Sequence, residues 1–323
     1  MKRLKCEITI GNLFFNYVTN VRINSSRDTL TDTAEIQLPS KITNRDNDFI
    51  KSIIKVNDVV TIKLGYHPNL VTRFTGYVSA VVPESPIKIM CEDEAFKLKQ
   101  TTIKNYSKNN LTLEELITDN YTGETNIVDA VVGDFRIDRV TMIKVLQELK
   151  SKHKISSWFR DGVLNSGLAY DITGGSTQNF SFQRNIIDGR SLRKIDDSEL
   201  DTVAHGISTQ DDGSKVELYT YYKNNVITTV DEDPGGDLNT MTLPGLSEAD
   251  LKELLERWLP NLYYTGFSGS FTTFGEPAVQ HGDVANITDK KFPEKDGLYV
   301  IKSVHIDFGM GGYRQTIELD RGV

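Results

Sequence analysis

Serine, histidine, carboxylate and cysteine side chains are where hydrolysis or metal chemistry would have to begin. Gly266-Phe267-Ser268-Gly269-Ser270 sets a serine among glycines, as a nucleophile elbow does. A GxSxG elbow needs one residue on each side of the serine, and here a glycine follows it directly, inside a strand-forming run, so no acyl-transfer role is expected. The five histidines, at 67, 153, 205, 281 and 305, are too scattered for sequence alone to pair them as base or ligand, and structural or surface roles are expected. Asp196-Asp197 with Glu199 and Asp201, and the run Asp231-Glu232-Asp233, could serve as glycosidase acid pairs only at the right separation in space; as polar runs they read as solvated loop charge. No GxxxxGK[ST] loop, HExxH or paired CxxC is present, which leaves nucleotide and zinc sites without support. The expectation is no catalytic residue, no cofactor and no metal. Cys6 and Cys91 each sit in a strand-like run and read as buried free thiols of a chain made in a reducing cytoplasm.

These residues must be carried by an ordinary globular scaffold. The 323 residues, 38% hydrophobic and 25% charged, suffice for two or three cored domains. No apolar run reaches membrane-spanning length, and MKRLKCEITIG alternates instead of forming a signal-peptide core, so neither export nor membrane insertion is expected. The net charge of −8 lacks the basic footprint of a sequence-specific nucleic-acid binder.

Period-two alternation dominates. Cys6-Glu7-Ile8-Thr9-Ile10, Thr33 to Leu38, Val59 to Tyr66, Arg73 to Val78 and Ile87 to Glu92 read as short antiparallel strands, enough to close a first β-barrel over 1–104. Thr112 with Glu115 forms a capping box, and Thr141 precedes Met142, Val145, Leu146 and Leu149 at helical spacing, which makes 105–165 a small α/β connector with two short helices. Strands resume from Leu168, and 166–323 reads as a second barrel interrupted at about 231–262 by a polar loop and a third helix, capped by Ser247 and limited by Pro260. The fold class expected is therefore mainly β with an α+β insertion: two similar antiparallel barrels, a small mixed domain and three short helices.

An internal echo links the two ends. Asp58, Val59, Ile62, Gly76 and Tyr77 reappear in order as Asp283, Val284, Ile287, Gly297 and Tyr299, although the step from aspartate to tyrosine shortens from 19 residues to 16. Hairpins converge on such patterns, but two copies of one barrel explain the match in order and character, and a duplicated chain suits a ring.

The run Asn57 to Tyr66 with Phe74-Thr75-Gly76-Tyr77-Val78 and Ile87 to Asp93 resembles the first barrel of baseplate hub proteins, the late-control gene D family. Gly275-Glu276-Pro277, His281-Gly282-Asp283-Val284, Gly297 to Val300 and Gly311 to Ile317 are similar to that family's closing barrel. The resemblance implies a structural homotrimer whose six barrels form a pseudo-six-fold ring, joining a hexameric tail tube to a trimeric spike in the baseplate of a phage tail or contractile injection system, alongside other baseplate proteins. It implies assembly in the bacterial cytoplasm. Because the chain ends at Val323 without the β-helix of VgrG-type members, the central spike is expected to be a separate protein. An acidic channel, carrying part of three chains' charge, would let DNA or a toxin pass without sticking. The alternatives are a tail-associated cell-wall-degrading enzyme, for which the stretch between the barrels is short and poor in histidine, and a carbohydrate- or receptor-binding β protein, for which Trp158 and Trp258 are the only tryptophans and Trp258 lies on an apolar helix face.

Overall fold

The computed structural model describes residues 3–39, 53–128, 130–168, 175–195, 201–210, 212–224, 226–262 and 266–322. The chain is mainly β, with largely antiparallel sheets and four helices among these residues. No described helix is long and apolar enough to cross a membrane.

Alternation turns into architecture in the first ninety residues. Side chains of a strand point to opposite faces in turn, and Thr33–Leu38 and Ile87–Glu92 bury every second residue. The strands lie side by side in the order Leu4–Ile10, Val59–Tyr66, Asn69–Val82, Ile87–Glu92, Thr33–Leu38, Asn20–Ser26. A second unit follows the order Thr177–Ser181, Val284–Thr288, Gly297–Gly309, Gly312–Gly322, Gly266–Phe274, Ile186–Asp188. Numbered by position along the chain, both orders are the same permutation. They differ in one direction: Leu4–Ile10 runs antiparallel to its neighbour, Thr177–Ser181 parallel.

The two units are one sheet. Asn20–Ser26 pairs antiparallel with Ser303–Gly309, completing a fourteen-stranded sheet with a single apolar cluster beneath it, from Cys6, Ile8 and Ile10 to Phe271, Tyr313 and Ile317. Both cysteines are buried and free, and burial raises the thiol pKa of Cys6 to about 11 and of Cys91 to about 12.

A second cluster lies outside that sheet. It gathers Leu111 to Ile117, Met142 to Leu149 and Phe159 with Ala204, Leu218, Met241, Leu255 and Trp258. Sequence assigns 202–230 to the second barrel and the insertion to 231–262. The strands Thr202–Thr209, Lys215–Lys223 and Val226–Val230 instead pair among themselves and with Asp237–Pro244, and pack with the connector into one mixed lobe. Alternation identifies a strand but not the sheet it joins. The helix Glu248–Leu262 packs closely over Gly206, where a Cβ would meet methyls of Leu251 and Leu255 at 2.9 Å.

Local signals fared variably. Thr112 and Glu115 make the reciprocal capping box, and Ser247 Oγ accepts from Asp250 N at 3.2 Å. Thr141 precedes the helix Met142–His153 without a side-chain cap, and Pro260 lies inside a helix that continues to Leu262. A fourth helix, Ala95–Gln100, has only six residues, too few for periodicity to reveal.

Candidate functional site

The echoed aspartates occupy equivalent turns. Asn57 and Gly282 adopt left-handed φ values of 76° and 83°, a region open to asparagine and glycine. Asp58 N donates to Lys55 O at 3.1 Å while Asp58 Oδ2 accepts from Lys55 N at 2.8 Å; Asp283 N donates to Gln280 O at 3.2 Å while its Oδ2 accepts from Gln280 N at 2.9 Å. Asn57 N and Val78 N bond Val78 O and Asp58 O, as Gly282 N and Ile301 N bond Ile301 O and Asp283 O, all at 2.8–2.9 Å. One carboxylate closes each turn and launches the next strand.

That geometry fixes the register. Asp58, Val59 and Ile62 correspond to Asp283, Val284 and Ile287, with Ile62 and Ile287 both buried. The glycines and tyrosines do not correspond. Val59 faces Tyr77 and Val284 faces Val300, so Tyr299, opposite Ala285, takes the place of Gly76, opposite Val60. Gly297, opposite Ile287, takes the place of Phe74, opposite Ile62. An offset of one residue turns a side chain to the other face. Tyr299 is buried in the barrel core, whereas Tyr77 stacks on Phe96 and donates to Glu94 at 2.8 Å.

Arg73 joins the two units through side chains. Its Nη1 donates to Tyr313 Oη at 3.1 Å and Gly275 O at 3.4 Å, and its Nη2 to Val279 O at 2.9 Å and Gln315 Oε1 at 3.2 Å. All four acceptors belong to the second unit and none is a carboxylate. Burial pushes the guanidinium's pKa down, opposed by Tyr313 and Asp283. Tyr66 Oη adds a bond to Tyr313 O at 3.3 Å, and Arg27 meets Asp320 at 2.7 Å. Nothing in the sequence marked Arg73, since an arginine between Thr72 and Phe74 reads as the solvent side of an alternating strand.

The mixed lobe is fastened at the second turn. Arg160 Nη2 donates to Asp283 Oδ1 at 2.7 Å, and Ser176 N donates to the same oxygen at 2.8 Å. Arg73, Arg160, Asp32 and Asp283 line one cleft of about 270 Å³ between the units.

The groups first weighed for catalysis are engaged otherwise. Phe267 and Ser268 lie in a strand, paired with Lys194 and Arg193. His153 meets Thr242 O at 2.8 Å, His205 meets Glu217 at 2.7 Å and stacks on Tyr219, and His305 meets Asn24 and Asp307. Asp231, Glu232 and Asp233 are exposed, while Asp196, Asp197 and Glu199 lie outside the described residues. Among the described residues no group of three metal-ligating side chains converges. Trp158 and Trp258 are both buried.

No family model matches the sequence, and no curated protein matches it. Solved structures do. A tail protein from Neisseria meningitidis is similar over 99% of this chain and 97% of its own, at 12% identity and a TM-score of 0.63. The 43 kDa tail protein of prophage MuSo2 from Shewanella oneidensis is similar over 98% of both chains, at 15% identity and a TM-score of 0.58. An Escherichia coli component of the type VI secretion system, described as structurally similar to bacteriophage T4 tail proteins gp27 and gp5, matches 98% of this chain and 78% of its own, at 11% identity and a TM-score of 0.57. The shared feature is the fold.

Proposed function

We propose that this chain is a non-enzymatic structural hub of a phage-tail or contractile-injection baseplate, acting as a homotrimer whose two barrel units per chain, six in all, make a pseudo-six-fold ring. The observation that carries this reading is the common strand order of the two units, with matching aspartate turns, inside one continuous sheet. A rigid pair of near-equivalent units lets a three-fold assembly present six similar faces, as an adaptor between six-fold and three-fold partners requires. The likeness in fold to tail proteins and to a type VI secretion component supports the setting. On this reading the partners are the tail tube on one side, a central spike on the other and further baseplate proteins around them, with function residing in shape and edges and with no cofactor. The mixed lobe is a connector that braces the pair, and the histidines and acids serve it structurally.

Size-exclusion chromatography with light scattering tests the assembly. The expected result is a particle of three times the chain mass at micromolar concentration, resolved by electron microscopy as a ring of six barrels around a channel. A stable monomer, or a dimer with two-fold symmetry, would overturn the reading.

A further inference from the structure

Where the loop before Thr33 meets the turn before Val284, three titratable side chains are enclosed together. Asp93 and His281 are 7% and 2% exposed, and the Asp32 side chain is 19% exposed. Both oxygens of Asp93 are taken by backbone donors, Ala95 N and Asp32 N, each at 3.0 Å. Asp32 Oδ1 accepts from Ser26 N at 3.2 Å, while its Oδ2 lies 3.8 Å from His281 Nε2. On the other side of the imidazole, Nδ1 is buried with no hydrogen-bond partner among the described residues. Trp158 closes the site, its ring edge-on to His281 at 6.1 Å.

The surrounding charges decide which protonation states are tolerated. Asp32 faces Asp93, with Glu92 behind it, and shares a cleft with Arg73. His281 faces Arg160 from the mixed lobe, Arg27 from the loop that carries Asp32, and Asp283 from its own turn. Adjacent buried carboxylates resist ionising together, and an imidazolium between two guanidinium groups is disfavoured. Burial raises Asp32 to about 7, against hydrogen bonds from Ser25 and Ser26, while burial together with the neighbouring Asp32 raises Asp93. Burial, with Arg160 and Arg27, lowers His281 to about 4.

We infer that Asp32 and His281 form a one-proton joint: in the folded chain they hold a single proton between them, and its loss as the pH rises through neutrality loosens the contact between the two barrel units. The unfolded chain between pH 4 and 6.5 also carries one proton on the pair, on histidine instead of aspartate. The pair therefore adds no pH dependence to stability there. Above about pH 6.5 the unfolded pair has released its proton while the folded pair retains it to about 7, so stability falls as pH rises through that window. Beyond it, ionised Asp32 lies beside Asp93 with a neutral imidazole opposite.

Hydrogen exchange by mass spectrometry at pH 6 and pH 8, corrected for intrinsic rates, tests the joint in the full chain. The expected result is exchange on the order of threefold faster at pH 8 in peptides covering 24–33 and 277–283, a difference that Asp32→Asn removes. In thermal melts from pH 4 to 6.5, relative to wild type, Asp32→Asn gains stability with rising pH and His281→Gln loses it, because each variant exposes the shift its partner had balanced. Equal protection of the wild type at both pH values would overturn the inference, as would both variants tracking its pH profile.

Discussion

Replacing Arg73 with alanine should loosen the seam between the barrel units more than any other single change on the surface of that strand. The guanidinium makes four hydrogen bonds to neutral acceptors of the second unit. Bonds to a charged donor contribute about 1.5–3 kcal/mol each, but the cost of dehydrating the cation offsets much of that sum. Removing the donor leaves Val279 O and Gln315 Oε1 facing a void, and breaking one side of such a buried arrangement costs about 3–5 kcal/mol. Because Arg73 is partly reached by water, the lower end is expected, about 3 kcal/mol. For units of this size that corresponds to a fall of about 6–12 °C in the calorimetric midpoint of the sheet. Arg73→Lys should recover less than half of the loss, since one ammonium cannot reach acceptors arranged for a fork. A double-mutant cycle with Gln315→Leu should return a coupling of about 0.5–3 kcal/mol. A loss below about 1 kcal/mol for Arg73→Ala, or additivity with Gln315→Leu, would refute the argument that the guanidinium bridges the two units.

Three further outcomes follow from the same geometry. Gly206→Ala should cost about 1–3 kcal/mol through overpacking against Leu251 and Leu255, read as an earlier urea transition in the fluorescence of Trp258. Asp283→Ala should destabilise more than Asp58→Ala, because Asp283 accepts from Arg160, Ser176 and Gln280 whereas the Asp58 side chain, among the described residues, accepts from Lys55 alone; the difference should reach about 1–3 kcal/mol in chemical unfolding. In Asp32→Asn the histidine's depressed pKa stands alone, so stability should rise by up to about 3 kcal/mol as pH goes from 4 to 6.5 and then level off, as scanning calorimetry would record.

Much of this molecule is written locally. Period-two alternation located most strands of the sheet, and Thr112, Glu115 and Ser247 announced two helix starts because a cap is settled within four residues. The echo was legible at its turns, since Asp58 and Asp283 each close a local loop upon residue i−3. It failed at Tyr77 and Tyr299, where the letters matched but the register did not: pairing across a hairpin depends on loop length, which a comparison of letters ignores. The strands from Thr202 to Val230 were found but given to the wrong sheet, and Ala95–Gln100 was missed although Asp93 accepts from its first amide, Ala95 N. Arg73 and the Asp32–His281 joint had no local signal, because their partners lie about 200 residues away or more.

The pairing of Asn20–Ser26 with Ser303–Gly309 also bears on how the chain reaches its fold. Contacts such as Arg22 with Asp307 span 285 residues, so this edge stays open on the ribosome until Ser303–Gly309 has been made. The first unit and the mixed lobe can form from their own segments in the meantime. During that interval Val21 and Ile23 are half covered at an unpaired strand edge, the kind of surface that recruits foreign strands. Deleting 297–322 should therefore yield aggregation and not a smaller soluble protein, since Gly297–Gly309, itself held by Gly312–Gly322, is the strand that pairs with the first unit's open edge.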